Sequence, residues 1–216
     1  YNALDQLVWQ ETPDAGITEF FYDVSGKLTF SQNAKQKPQK KYSYTLYDEQ
    51  GRIVETGAVG FTATEYANSS ESHPNFVKTV GTTSMNTVLS TVRDKPREDV
   101  VATFYDSPLL SLATNAGMSA QENLRKRVSS ILYAPFVAMN DTIESFYAYA
   151  SHFSYDALGN VSTLTQDNPY MDYLGQRFKR VDYDYDLLSG KVNMVSYNRG
   201  KADQFYQKYT YDADNR

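Results

Sequence analysis

Residues able to do chemistry are few in this chain of 216 residues. It has two histidines, His73 and His152, and no cysteine. Without cysteine there is no thiolate nucleophile, disulfide or zinc–thiolate site. Histidine is the usual proton carrier near neutral pH. Neither histidine stands in a G-x-S-x-G elbow or an H-E-x-x-H helix, and no glycine-rich phosphate loop occurs. His73 falls in the polar stretch Asn68–Pro74, which is read as a loop, so a solvated histidine is expected there. His152 alternates with Phe153 on what reads as the polar face of a strand. The acidic ladder Asp182, Asp184, Asp186 offers oxygen ligands to a hard cation such as Ca²⁺. It lacks the loop spacing of such sites, and Lys179 and Arg180 sit beside it, so a solvated sheet face is the expectation. Asp212, Asp214 and Asn215 invite the same comparison. Tyr170 and Tyr173, in DNPYMDYLG, are placed in a loop, where their rings can stack on a ligand or cover the end of a sheet. Lys35, Lys37, Lys40 and Lys41 surround Pro38 and read as a solvated turn. No catalytic, cofactor-binding or metal-binding residue is assigned, and no enzyme activity is expected.

The elements that must position these groups are repetitive. Tyr22-Asp23-Val24-Ser25-Gly26-Lys27-Leu28 returns as Tyr47-Asp48-Glu49-Gln50-Gly51-Arg52-Ile53 and as Tyr155-Asp156-Ala157-Leu158-Gly159-Asn160-Val161. Tyr185-Asp186-Leu187-Leu188-Ser189-Gly190-Lys191-Val192 carries one extra residue before its glycine. Tyr1-Asn2-Ala3-Leu4-Asp5-Gln6-Leu7 is a degenerate copy with Asp5 in the glycine slot. Tyr105-Asp106 opens a copy that departs at Ser107-Pro108, and Tyr211-Asp212 begins a last one. Starts at 1, 22 and 47 are 21 and 25 apart, and those at 155, 185 and 211 are 30 and 26 apart. Such a period fits two strands with their connections.

The motif has a mechanical reading. Asp followed by Gly three positions later suits a type I turn closed by a left-handed glycine bulge. The bulge sets two residues against one, so Tyr22 is expected opposite Leu28, Tyr47 opposite Ile53, Tyr155 opposite Val161 and Tyr185 opposite Val192. Asp5 can still adopt the left-handed conformation, and Ser189 should lengthen its turn. Alternating flanks support strands: Val181, Tyr183 and Tyr185 against the aspartates, and Phe153 and Tyr155 against His152 and Ser154. Return strands are expected at Ser162–Thr165 and Asn193–Tyr197. In the centre, Asn86–Val92, Asp99–Tyr105 and Val128–Tyr133 read as strands. Ser119-Ala120-Gln121-Glu122 has the form of a capping box for one short helix over Ser119–Lys126.

Composition agrees. Tyr, at 19 copies beside 11 Phe, favours strands. The net charge of −5, without a basic stripe, excludes nucleic acid as an expected partner. No apolar run reaches the about 20 residues of a spanning helix. The chain begins YNALDQLVWQ, which carries no signal peptide, and with Tyr in first place it reads as an excised segment. One all-β, antiparallel region over residues 1–216 is expected, repeat-like over 1–56 and 150–216 and irregular over 57–149. Its end strands would present unpaired backbone edges, prone to self-association unless covered.

These residues resemble the RHS or YD-repeat family, whose hallmark is YDxxGR followed by an aliphatic residue. The tail from KRVDYDYDLLSGKV to DQFYQKYTYDADNR looks especially like RHS-repeat proteins of Bacteroidetes-type bacteria. The resemblance implies successive hairpins joined into a sheet that spirals into a hollow shell, of which this chain would be a curved open arc. In bacterial toxin complexes and polymorphic toxins such a shell encloses a C-terminal toxin domain, and in teneurins a related shell sits in an adhesion receptor. It implies an extracellular or cell-surface protein whose partners are the remainder of its own longer chain and, alternatively, a glycan or cell-surface protein held by exposed aromatics. None of the seven prolines follows an aspartate, so the self-cleaving Asp-Pro end of bacterial shells is not expected within this segment.

Overall fold

In a computed structural model, which describes residues 1–67, 73–109 and 120–212, the chain forms twelve strands. They are hydrogen-bonded in chain order, β1 to β12, in one sheet. Neighbours from β1 to β6 and from β8 to β12 pair antiparallel. The chain divides into two compact units, residues 1–102 with 133–146 and residues 103–132 with 147–216.

The first unit carries β1 (Trp9–Thr12), β2 (Gly16–Tyr22), β3 (Leu28–Asn33), β4 (Lys41–Tyr47) and β5 (Ile53–Gly60). The strands β6 (Arg97–Tyr105) and β7 (Val128–Val137) contribute residues to both units. Between β5 and β6 lie the helices α1 (Ala63–Ala67), α2 (Asn75–Lys78) and α3 (Met85–Arg93). Strand β4 alternates strictly, with Tyr42, Tyr44 and Leu46 buried. They share a core with Phe30, Val59, Phe61 and the helical residues Val77, Val88 and Val92. Phe61 meets the Tyr42 ring edge-on at 5.4 Å.

Helix α3 corrects the expectation of a strand over Asn86–Val92. The β-branched Thr87, Val88, Thr91 and Val92 favour strands, but Val88 and Val92 are four apart and both buried. That spacing suits one helical face. The Ser84 side chain accepts the Thr87 N–H at 3.3 Å and caps the helix. The short helix expected over Ser119–Lys126 is not formed over the described residues 120–126, and Ser119 lies outside them. Gln121 and Glu122 instead bond the strands beside them. The Gln121 amide donates to the carbonyls of Ser129 and Phe153, and the Glu122 N–H donates to Ser154 Oγ.

The second unit holds β8 (Tyr149–Tyr155), β9 (Val161–Asp167), β10 (Phe178–Tyr185), β11 (Val192–Tyr197) and β12 (Phe205–Lys208). The facing expected in β8 is reversed. His152 and Ser154 are buried, while Phe153 and Tyr155 are half-buried. The buried face carries the polar side chains of Ser130, His152, Ser154, Thr163, Thr165 and Asp167, and of these His152 Nε2 makes no hydrogen bond. In β10 neither alternating set is buried.

Candidate functional site

The repeat motif makes the densest set of specific contacts, and they divide into two kinds. Within a copy, the aspartate closes the turn. Asp23 Oδ1 accepts the N–H groups of Ser25 and Lys27 at 2.9 and 2.8 Å, and Asp48 Oδ1 accepts those of Gln50 and Arg52 at 3.0 and 2.8 Å. The Asp23 N–H donates to the Lys27 carbonyl, and the Gly26 N–H returns to Asp23. Gly26, Gly51, Gly159 and Gly190 have φ of 78°, 81°, 100° and 69°, and Asp5 takes 58° in the same slot. A bulge just before or at each tyrosine leaves Tyr22 opposite Leu28, Tyr47 opposite Ile53, Tyr155 opposite Val161 and Tyr185 opposite Val192. Ser189 lengthens its turn, so that the Asp186 N–H reaches Lys191 at 2.8 Å.

The second kind joins one copy to the next, and the motif within a single copy gives no sign of it. The Tyr47 hydroxyl donates to the Leu28 carbonyl at 2.9 Å, and Leu28 is the residue opposite Tyr22 in the preceding copy. Tyr22 does the same to Leu7 at 2.8 Å, Tyr185 to Val161 at 3.1 Å and Tyr211 to Val192 at 2.8 Å. Tyr155 donates to Val128 at 2.9 Å. Register is shared too. Trp9 faces Glu19, Phe30 faces Tyr44, Thr163 faces Asp182 and Met194 faces Lys208. In each case the residue two past the aliphatic position meets the residue three before the next tyrosine. The residue before the aliphatic position also reaches across. Lys27 Nζ lies 5.2 Å from the centre of the Tyr47 ring, Arg127 5.3 Å from Tyr155 and Lys191 4.5 Å from Tyr211. A Cβ at Gly51 would stand 2.6 Å from Lys27 Nζ, and one at Gly159 2.6 Å from an Arg127 nitrogen. The glycine therefore admits the neighbouring cation as well as the turn.

Electrostatics follow this geometry. Burial pushes the Tyr47 phenol up, with Asp23 adding to it, and burial does the same at Tyr155 and Tyr185. Hydrogen bonds from the Asn160 side chain and the turn backbone hold Asp156 below the usual carboxylate range. Those from Ser189 hold Asp186 down, and at Asp48 the bonds and charge of Arg52 outweigh partial desolvation.

Both histidines are buried, against expectation for their surroundings. His73 is buried. Its Nδ1 meets the Tyr42 hydroxyl at 2.7 Å and its Nε2 meets Glu19 Oε1 at 3.0 Å, while Phe21 packs edge-on at 5.1 Å. Of the stretch Asn68–Pro74, residues 68–72 lie outside the described residues. His152 Nδ1 lies 2.8 Å from Ser130 Oγ, and its Nε2 is 3.7 Å from Asp167 Oδ2. Ser130, His152 and Asp167 thus stand in a row without a hydrogen bond between His152 and Asp167, and the row is sealed in the sheet, with exposures of 0%, 2% and 1%. A nucleophile must reach its substrate, and this hydroxyl faces protein on every side. Asp167 also accepts from the Tyr147 hydroxyl at 2.5 Å and from Arg177 Nε at 2.8 Å. Burial opposes its charge, yet these neighbours hold its carboxyl below the usual range. The group pins three strands and the approach to β10.

A second buried network, in the first unit, had no signal in the sequence. Glu55 accepts from the Tyr44 hydroxyl at 2.8 Å, from Arg97 at 2.7 Å and from Arg93 at 3.0 Å. Arg97 also donates to the Asp141 carbonyl at 2.7 Å.

The remaining predicted positions do not converge on one site. Asp182 accepts from Arg180 at 2.7 Å and Thr163 at 3.1 Å, and Asp186 is spent on its turn. Among the described residues no group of three or more His, Asp or Glu is placed to hold a metal ion. Asp214 and Asn215 lie outside them. Tyr170 and Tyr173 sit on a 3₁₀ turn, Pro169–Leu174, opened by Asn168 and ended by Gly175 at φ 64°. Three apart in such a turn, they share a face. At 67% and 83% exposed they do not cover the sheet. Beside that turn is an open groove of about 360 Å³, lined by Tyr149, Gln166, Asn168, Met171, Arg177 and Lys179 among others.

No protein-family profile and no curated protein matches the chain. Solved structures do. The chain is similar to the crystal structure of TcdB2-TccC3, at 13% identity over all of this chain and 10% of that one, with a TM-score of 0.43. It is similar to the crystal structure of TcdB2-TccC3-TEV, at 15% identity over 97% and 9%, with a TM-score of 0.40. The Photorhabdus luminescens Tc holotoxin pore is similar at 11% identity over 100% and 13%, with a TM-score of 0.27. The chain spans about a tenth of the length of those chains. Likenesses this distant assign no role to any residue, and the contacts within the chain are the stronger guide to its function.

Proposed function

We propose that this chain is a non-enzymatic structural segment of an RHS-type shell, one that encloses or presents another domain of a longer extracellular or surface polypeptide. The observation that carries this reading is the copy-to-copy lock, in which a tyrosine hydroxyl bonds the aliphatic carbonyl of the preceding copy. Such a contact needs only the copy before it, so an array built this way extends without limit and spends its specific residues on the wall itself. Limited proteolysis of the natural polypeptide carrying this segment tests the reading. Repeats and any enclosed domain should resist digestion together and become sensitive together when the wall is opened by denaturant. An additional domain digested at once while the repeats stay intact would contradict enclosure.

A second reading is a carbohydrate- or protein-binding module, favoured by the exposed pair Tyr170 and Tyr173 beside an open groove. Glycan-array binding abolished by Tyr170→Ala and Tyr173→Ala would support it. Binding indifferent to both changes, or none, would count against it.

A further inference from the structure

The copy that opens at Tyr105-Asp106 and breaks off at Ser107-Pro108 is completed further along the chain. The Asp106 N–H donates to the Arg127 carbonyl at 3.1 Å, as Asp23 does to Lys27 at 2.9 Å and Asp156 to Asn160 at 2.9 Å. Asp106 Oδ1 accepts the Lys126 N–H at 2.5 Å, the role Asp156 plays toward Gly159 in the copy at Tyr155, where that distance is 2.7 Å. Lys126 has φ 60°, the glycine-slot conformation. Arg127 then lies over the Tyr155 ring, as Lys27 lies over Tyr47. Val128 accepts the Tyr155 hydroxyl, as Leu28 accepts that of Tyr47. These contacts of a copy are shared, with Lys126-Arg127-Val128 in place of Gly-Lys-Leu, while the Arg127 N–H turns to the Leu124 carbonyl at 2.9 Å where the Lys27 N–H bonds Asp23.

We infer that residues 107–125 are an insertion in the tip of a YD turn, and that Tyr105-Asp106 and Lys126-Arg127-Val128 are the two halves of one split motif. The described ends of the insertion are fastened. Leu109 and Leu124 are 7% and 6% exposed. The returning limb bonds the end of β8 through the Glu122 carbonyl to the Tyr155 N–H at 3.1 Å, and through the Asn123 amide to the Tyr155 carbonyl at 2.8 Å. The array therefore has a position where sequence of independent length and composition enters and leaves while the two halves of the motif keep these contacts. This is a port for added sequence on a repeat wall, and it stands whether or not the wall closes as a shell.

The test replaces Ser107–Arg125 by Ala-Leu and adds Lys126→Gly, which copies the tip Asp156-Ala157-Leu158-Gly159. Amide hydrogen exchange in the shortened chain should show Asp106 protected to within about threefold of Asp156. An Asp106 amide exchanging more than about tenfold faster than Asp156, or a shortened chain that does not fold, would overturn the inference. In the intact chain, Asp106→Ala should speed exchange at Lys126, whose N–H it accepts, about tenfold or more and leave the Asp186 turn unchanged. Unchanged exchange at Lys126 would overturn it as well.

Discussion

At the residue scale, each position of the motif has two tasks, and only one of them shows in a single copy. The aspartate and glycine close a turn, and that was legible because turn chemistry is local. The tyrosine hydroxyl, the residue before the aliphatic position and the space above the glycine all serve the neighbouring copy. They were not legible, because the connection between copies varies and no fixed spacing marks the partner. Leu7 lies 15 residues before Tyr22, while Val161 lies 24 before Tyr185. Tyr47→Phe removes one donor and strands the Leu28 carbonyl in a half-buried place, so it should cost about 1 kcal/mol in denaturant unfolding. Tyr173→Phe, at a tyrosine 83% exposed, should change stability by less than about 0.5 kcal/mol. Gly51→Ala should cost more than about 1 kcal/mol, because φ of 81° is strained for alanine and Lys27 must leave its place over Tyr47. Adding Lys27→Ala should recover the crowding part of that cost and leave the backbone part.

At the scale of elements, turns and strand pairs followed the sequence while facing did not. Strands β9 and β11 cover the return strands expected at Ser162–Thr165 and Asn193–Tyr197. Alternation in β8 marked two faces correctly but assigned burial by polarity, and burial was reversed because Ser130, Thr165 and Asp167 lie beside His152 on the covered face. The centre was misread where β-branched residues at helical spacing formed α3. The YD turns share a dependence on pH. Asp48, Asp156 and Asp186 are held below their unfolded range, so they stabilise the fold above that range and lose this contribution as pH falls through their folded values. Amide protection at the residues they bond, Arg52, Gly159 and Ser189, should therefore decline below about pH 4. Protection unchanged down to about pH 2 would contradict this. The repeat phenols act at the other end. Those of Tyr47, Tyr155 and Tyr185 are raised in the fold, so their contribution is complete below about pH 10 and is lost as pH climbs past it.

At the scale of the whole molecule, the two units use different interiors. The first packs aromatic and aliphatic side chains from β3, β4, β5 and the helices around one ion network. The second buries a polar face, held by Ser130, His152, Asp167, Tyr147 and Arg177. Composition foretold an all-β chain but not this division, because total polarity says nothing of which polar groups find partners. The ion network is the more brittle. Glu55→Ala leaves Arg97 buried at 1% exposure with its carboxylate gone. It should destabilise the chain by about 3–5 kcal/mol in denaturant titration. A loss below about 1 kcal/mol would show that Arg97 had found another partner.

The central claim is that these interlocked copies are a length of wall. Electron cryomicroscopy of the natural polypeptide containing this sequence tests it most directly. The account predicts that the sheet continues past both β1 and β12 into further hairpins carrying the same tyrosine-to-carbonyl lock, around density for another domain. A segment standing alone, with both end strands facing solvent and nothing enclosed, would contradict it.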